Sequence, residues 1–555
     1  MMSLVRPVCV LVAAPFAASG LALAQSDLYE HEAFAPSFGY GFNVCAIGDL
    51  DADGVCEYIV STLKDGGYAD IFSGKTGVLI ERIHGTGCFG MGLANLGDVN
   101  GDSISDFAVS APREDSPLAF AGGLVRVYSG ADLGVLYVLE GDQPHARFGI
   151  ALGNAGDLDG DQIDDLVVGS WWDDFELKDM GSIDVYSGAD GQHLVHARGT
   201  QEEEWFGTSV TGAGDVNGDG TPDVLVGAPF RWYNDLGFPP GSAVVVSGVD
   251  GSTLRTYSGN NGGDYFGTSV ELVPDVDGDG APDHAVGSPR HDVGGEDVGA
   301  VFVYSGLTGA LITSMTGEVD SRFGTRVAAA DLDGDGAPEL LVSACACVNV
   351  GPDSAAIGAL EIRGASDGVL LGRIEGAADI GFGYSVDSIG DVNNDGIGEF
   401  VYGNHWDDVM GEQTGSARVT SYADLPLTEN GHLASLAAGV NIQLDIDFGP
   451  TYGGRGYWVI GSLSGTSPGV TAGAVHVDLN FDSYTSAMIQ YPNTHQFDNT
   501  FGLLDGAGEA AASIVVPAGA IDPSFIGVTV WHAVGVFTGA EFLTASQTVP
   551  TTLEP

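Results

Sequence analysis

Residues 266–289 read FGTSVELVPDVDGDGAPDHAVGSP. An aromatic-Gly pair, Phe266-Gly267, opens a short β-prone run. A loop follows with carboxylates at alternate positions, Asp275, Asp277 and Asp279, Gly280 at its sixth position and a fourth carboxylate at Asp283. A second β-prone run then ends in Val286-Gly287-Ser288-Pro289. Six further copies of this signature start their acidic loops at Asp49, Asp98, Asp157, Asp215, Asp331 and Asp391. Successive starts lie 49, 59, 58, 60, 56 and 60 residues apart. A unit of that length repeated through most of a chain describes one closed array of like modules, since such a module buries its apolar face only against its neighbours.

Each unit reads as four short strands. The first follows the aromatic-Gly pair and is rich in small residues, as in Phe206 to Gly214, which suits a crowded position near an axis. The acidic loop turns the chain into a second strand such as Asp223 to Pro229. A longer variable loop leads to a third strand that alternates with period two, as in Leu124 to Gly130. A Gly turn such as Ala189-Asp190-Gly191 opens the fourth, for example His193 to Arg198. Four strands per unit in radial repetition is the sequence form of a β-propeller. The expected fold is all-β, a seven-bladed β-propeller over residues 38–423, with residues 26–37 offering a strand that closes the ring against the seventh blade. Residues 424–429 read as a linker. Residues 430–555 keep β character without acidic loops and read as a small C-terminal β-sandwich-like domain carrying no recognisable chemistry.

The Phe-Gly starts and the Val226-Gly227-Ala228-Pro229, Val286-Gly287-Ser288-Pro289 and Val109-Ser110-Ala111-Pro112 endings resemble FG-GAP repeats, the repeats of the integrin α-subunit N-terminal seven-bladed propeller. The first copy departs from the pattern with Tyr40-Gly41 and Val60-Ser61-Thr62, the sixth ends in Ala344-Cys345, and the seventh in Tyr402-Gly403-Asn404. The resemblance implies an extracellular recognition or adhesion protein with cation-binding loops.

The loops suit calcium on chemical grounds. A hard cation of this size takes six to eight oxygens, mixing carboxylates and backbone carbonyls. Side chains at loop positions one, three, five and nine supply Asp49, Asp51, Asp53 and Glu57 in the first copy, and Asp98, Asn100, Asp102 and Asp106 in the second. The third offers Asp157, Asp159, Asp161 and Asp165; the fourth, Asp215, Asn217, Asp219 and Asp223. The fifth offers Asp275, Asp277, Asp279 and Asp283; the sixth, Asp331, Asp333, Asp335 and Glu339; the seventh, Asp391, Asn393, Asp395 and Glu399. Position seven adds a carbonyl, from Ala281 in the fifth and Ala337 in the sixth. Up to seven Ca2+ are expected, with the loops starting at Asp215, Asp275, Asp331 and Asp391 the strongest candidates. Position six is Gly in five copies but Ser103 and Gln162 in the second and third. A turn that needs φ > 0 there is weaker without Gly, so those two loops are expected to bind least well. The alternative is a set of metal-free Asx turns.

Charge narrows the partners. With 18 Lys and Arg against 76 Asp and Glu, the formal net charge of −58 excludes nucleic acid, whose phosphates require clustered cations. A basic, then apolar, then small-residue start, with Arg6, the run from Val8 to Leu23 and Ala24-Gln25, reads as a signal peptide over residues 1–25. The expected location is therefore secreted or cell surface, with no membrane span in the mature chain. Of the five cysteines beyond the signal, Cys45 and Cys56 flank the first acidic loop and either bridge it or stay as free thiols; Cys88, Cys345 and Cys347 complete the set.

The loops after the second strand and before the first share the face opposite the acidic loops. They collect Trp171, Trp172, Trp205, Trp232, Tyr233, Tyr265 and Trp406. Aromatics beside Asp and Arg suit a protein hot spot or a sugar-stacking surface, or else local packing of the blade edges. An extracellular protein or a glycan is the expected partner, the lectin-like and structural surface-layer readings being the alternatives to adhesion. No His-Glu-x-x-His and no convincing Ser/His/Asp set is present, and His145, His284, His291 and His405 do not repeat, so the chain is not expected to be an enzyme.

Overall fold

The computed structural model describes residues 28–32, 39–174, 177–230, 239–292, 297–334, 336–345, 358–376, 381–394, 396–405 and 415–422, together with the backbone of short strands from 428 to 554. The repeats fold into seven four-stranded antiparallel sheets, a seven-bladed β-propeller. Blade III is typical: Ala151–Gly156, Asp165–Ser170, Ser182–Tyr186 and His193–Arg198 lie in that order from axis to rim. The first strands of consecutive blades touch, and that of blade VII (Ser385–Gly390) touches that of blade I (Val44–Gly48), so the ring is closed. Small residues permit this crowding: a Cβ on Gly153 would stand 2.5 Å from the Val210 carbonyl of blade IV.

Closure has a second component. Blade VII takes its outermost strand from the start of the described chain, Tyr29–Glu32, which pairs antiparallel with Ser416–Ser421. His31 is buried there, with Nε2 2.6 Å from the Tyr58 hydroxyl and its ring stacked 3.8 Å from Phe72 of blade I. At the axis, Asp387 of blade VII accepts a hydrogen bond from the Ala46 N–H of blade I at 2.9 Å.

The burial pattern follows from the radial order. Every second strand is buried at all six positions, because it is covered on both faces by neighbouring blades. Outer strands such as Val135–Glu140 are mostly exposed. The aromatic of each aromatic-Gly pair wedges between blades: Phe206 packs with Val167, Ile183 and Val185 of blade III and with Val224 and Val226 of blade IV. Its glycine combines positive φ with close approach, since a Cβ on Gly267 (φ 90°) would lie 2.1 Å from the Ser242 carbonyl.

The signal peptide lies outside the described residues. So do the side chains and the packing that would make a sandwich of residues 430–555, although strands such as Val440–Asp447 and Glu509–Val516 pair there. Cys45, Cys56 and Cys88 are free thiols and Cys345 is disulfide-bonded, so of the two readings for Cys45 and Cys56 the free-thiol one holds.

Candidate functional site

The acidic loops join the first and second strands of each blade, and one hydrogen-bond pattern shapes them. In the fifth, Asp275 accepts the Gly278 N–H on Oδ1 (2.7 Å) and the Gly280 N–H on Oδ2 (2.8 Å). Asp277 accepts from the Asp279 N–H (3.1 Å), and Asp279 from the Ala281 N–H (3.0 Å). In all seven loops the position-six N–H donates to Oδ2 of the first Asp, at 2.7 to 3.0 Å. This wraps the chain around a small acidic hollow.

The geometry requires φ > 0 at position six in every copy: 88° at Gly54, 92° at Gly220, 91° at Gly280, 90° at Gly336 and 91° at Gly396. Ser103 and Gln162 adopt the same region, at 72° and 73°. The second and third loops therefore keep the shape and carry backbone strain instead, about 1–2 kcal/mol for a residue with a Cβ.

Position nine is the anchor. Its carboxylate is at most 4% exposed in every blade. It accepts the position-two N–H, as in Val276 to Asp283 at 2.8 Å, Leu158 to Asp165 at 2.7 Å and Leu332 to Glu339 at 2.8 Å. In blades II to V the Asp also accepts the N–H of a glycine just past the third strand, Gly130, Gly188, Gly248 or Gly306. Reading the loop alone missed this tie to the third strand. Its signal is a Ser-Gly step recurring with the repeat, Ser129-Gly130, Ser187-Gly188, Ser247-Gly248 and Ser305-Gly306.

These arrangements fit a divalent cation. Carboxylate oxygens of Asp275, Asp277 and Asp279 lie within 4.8 Å of one another, as do those of Asp49, Asp51 and Asp53; of Asp157, Asp159 and Asp165; and of Asp331, Asp333 and Glu339. That separation is what a cation with bonds of about 2.3–2.6 Å spans. Burial raises the carboxyl pKa of Asp106, Asp223 and Asp283, and raises Asp165 to about 6, with neighbouring loop carboxylates adding to the effect. Glu57 is pushed up to about 7 by the same causes, and its Oε1 is buried with no partner. An orphaned carboxylate oxygen facing like charges is the environment a cation relieves. The first loop also carries its own cation, with Lys75 Nζ 3.3 Å from Asp53. Asp335 and Asp395 lie outside the described residues.

On the opposite face the structure brings together only part of the aromatic set. Trp171 and Trp172 stack at 6.0 Å, Trp205 lies 5.0 Å from Trp171, and the Arg147 guanidinium sits 4.6 Å over Trp172. All three rings are half-buried rather than open, and the Nε1 atoms of Trp171 and Trp172 are buried without a partner. Tyr265 stands apart, beneath Arg290 at 4.9 Å. Trp232, Tyr233 and Trp406 lie outside the described residues. The residue before each aromatic-Gly pair has φ > 0 throughout, Trp205 (56°) and Tyr265 (55°) included, so their unusual backbone belongs to the architecture.

A propeller whose blades each open on an aromatic-Gly wedge and turn on an Asp-rich loop is similar to FG-GAP repeat proteins, and the FG-GAP repeat model matches residues 89–139, 206–235, 266–304 and 323–344. Proteins similar to it include integrin α-subunits. The chain is 32% identical to integrin alpha-5 of Xenopus laevis over 218 residues, 36% of this chain and 20% of that protein. It is 28% identical to integrin alpha-V of Gallus gallus over 204 residues (35% and 19%) and 31% identical to integrin alpha-PS2 of Drosophila melanogaster over 251 residues (40% and 16%). The chain thus spans a fifth or less of the length of these relatives. No helix among the described residues is long and apolar enough to cross a membrane.

Proposed function

We propose that the protein is an exported, calcium-stabilised recognition or adhesion protein. Its acidic loops hold Ca2+ as a structural ion, and its opposite face binds an extracellular protein or glycan. The observation that carries the reading is the sevenfold recurrence of one acidic loop, each anchored by a buried ninth carboxylate. Coulomb repulsion among three or four clustered carboxylates is a strong selective cost unless a cation offsets it. The ligand surface on this reading centres on Trp171, Trp172 and Trp205, whose half-buried rings keep exposed edges beside the Arg147 guanidinium. On this reading there is no catalytic centre.

The test is an array of extracellular proteins and glycans probed with the full chain, in calcium and in chelator. Calcium-dependent capture by proteins supports adhesion, and capture by sugars makes the protein a lectin. A folded protein that binds neither removes the recognition reading.

A further inference from the structure

We propose that blade III carries a transition-metal site, distinct from the acidic loops, formed by Asp184, His193 and His196 and suited to Zn2+. Asp184 lies on the third strand, opposite His196 on the fourth. Residues three apart on a regular strand point to opposite faces, which would separate His193 from His196. The register shift between Val185 and Tyr186 removes that separation, as bulges re-aim side chains. His193 Nε2 ends 2.8 Å, and His196 Nδ1 2.7 Å, from the same Asp184 Oδ1. Two imidazole nitrogens and a carboxylate oxygen thus lie within 4.8 Å of one another.

The other blades show what is unusual here. At the positions of Asp184 and His196, blade I pairs Asp70 with Arg82 and blade VI pairs Glu361 with Arg373, while blade VII reverses the pair, with Arg418 on its third strand and Glu30 on its outermost. Blades II, IV and V have no acid–Arg pair at this register, with Arg126 opposite Val138, Val244 opposite Thr256 and Phe302 opposite Ser314; where the pair exists, its Arg cannot ligate a metal. Blade III replaces the Arg with His196 and puts His193 where blade I has Leu79 and blade VI has Leu370. The acid is kept, and both changes introduce imidazole.

The donor set decides the ion. Two imidazoles and one carboxylate match a zinc site with three protein ligands and an open fourth position, and are wrong for calcium, which takes oxygen. His196 Nε2 has no partner, and without a metal the ring proton sits on Nδ1, where Asp184 Oδ1 accepts it at 2.7 Å. The cluster lines a cavity of about 310 Å3 between blades II and III. That space leaves room for a water or a partner's donor atom in the fourth position. Glu140, Asp142 and Asp173 also line it, against Arg198, so the local charge favours a cation.

The test is Zn2+ titration of the full chain by calorimetry in saturating calcium, which occupies the oxygen sites, followed by Co2+ titration read by visible absorption. The expected result is a single high-affinity equivalent and the ligand-field bands of a four-coordinate, nitrogen-containing Co2+ site. Both should be lost in His193→Leu/His196→Arg, which installs the residues blade I carries and so keeps the fold. His193→Ala alone should weaken zinc by at least ~10-fold. Zinc binding that is absent, or equal in the wild-type and double-variant chains, overturns the proposal and leaves the cluster as a proton-bridged ion pair.

Discussion

Removing calcium should cost the propeller most of its stability. Extracellular modules bind calcium with Kd of about 10⁻⁴–10⁻³ M, and at ~10 times Kd each occupied site stabilises the fold by roughly 1.4 kcal/mol. All seven loops share one hydrogen-bond frame. Seven filled sites would therefore contribute about 10 kcal/mol, which is the size of a typical domain's whole net stability. The loop ends are also tied to the third strands through Gly130, Gly188, Gly248 and Gly306, so a loosened loop releases the blade and not a surface turn alone. The assay is thermal unfolding in millimolar calcium and again after exhaustive chelation, with ionic strength matched by NaCl so that general screening is subtracted. Unfolding should shift down by roughly 10 °C, taking about 1 °C per kcal/mol for a propeller of this size. Asp279→Asn, which alters one loop, should move it by only a small fraction of that. An unchanged midpoint on chelation, or full recovery with NaCl alone, would refute the structural role of the ion.

Three further outcomes are expected. Gly280→Ala meets open space and suffers only from its φ of 91°, so it should cost about 1 kcal/mol, whereas Gly267→Ala also collides with the Ser242 carbonyl and should cost about 3 kcal/mol or more; equal losses in denaturant unfolding would contradict this. Burial lowers His31, His284 and His405 to about 4, below the ordinary 6.5. Their contribution is therefore full above pH 6.5 and is lost as pH falls towards 4, up to about 3 kcal/mol each. In His31→Phe the fall in melting temperature over that window should be shallower, and an identical slope would argue against His31 as a sensor of ring closure. Trp172→Ala should weaken capture of whatever ligand the array identifies by ~10-fold or more while leaving unfolding in calcium nearly unchanged, and a variant that loses its fold instead would make the tryptophan cluster local packing.

The repeat was legible because its two punctuation marks answer to local physics. An aromatic-Gly pair is needed wherever a ring wedges between blades over a backbone with no room for a Cβ, and alternate Asp residues are needed wherever one loop wraps its own N–H groups around carboxylate oxygens. Both demands recur with the unit, so they show as spacing. What the sequence hid is non-local. The tie from Asp283 to Gly306 crosses 23 residues, and the ring-closing pair Glu30–Arg418 crosses 388. The first shows only when the recurring Ser-Gly step is lined up across repeats, and no window of residues reveals the second. Ser103 and Gln162 take the same turn as the glycines, at φ 72° and 73°, so the absence of Gly there shows as backbone strain and not as a change in the shape of the loop.

The His193–His196 cluster shows the same limit more sharply. In a regular strand its two histidines would part to opposite faces, so strand periodicity argues against a site there. Only the register shift between Val185 and Tyr186 unites them. That shift is itself general: blades I, II, IV, V and VI carry it between the same two strands, at Ile71/Phe72, Val127/Tyr128, Val245/Val246, Val303/Tyr304 and Ile362/Arg363. The repeat thus supplies a position at which a blade with an acid on its third strand, as blades I, III and VI have, can bring two outer-strand side chains to that acid. Blade III has filled it with imidazoles where blades I and VI hold a leucine and an arginine. A propeller can gain a second kind of metal chemistry by two substitutions in this frame, with no change to the strands that close the ring.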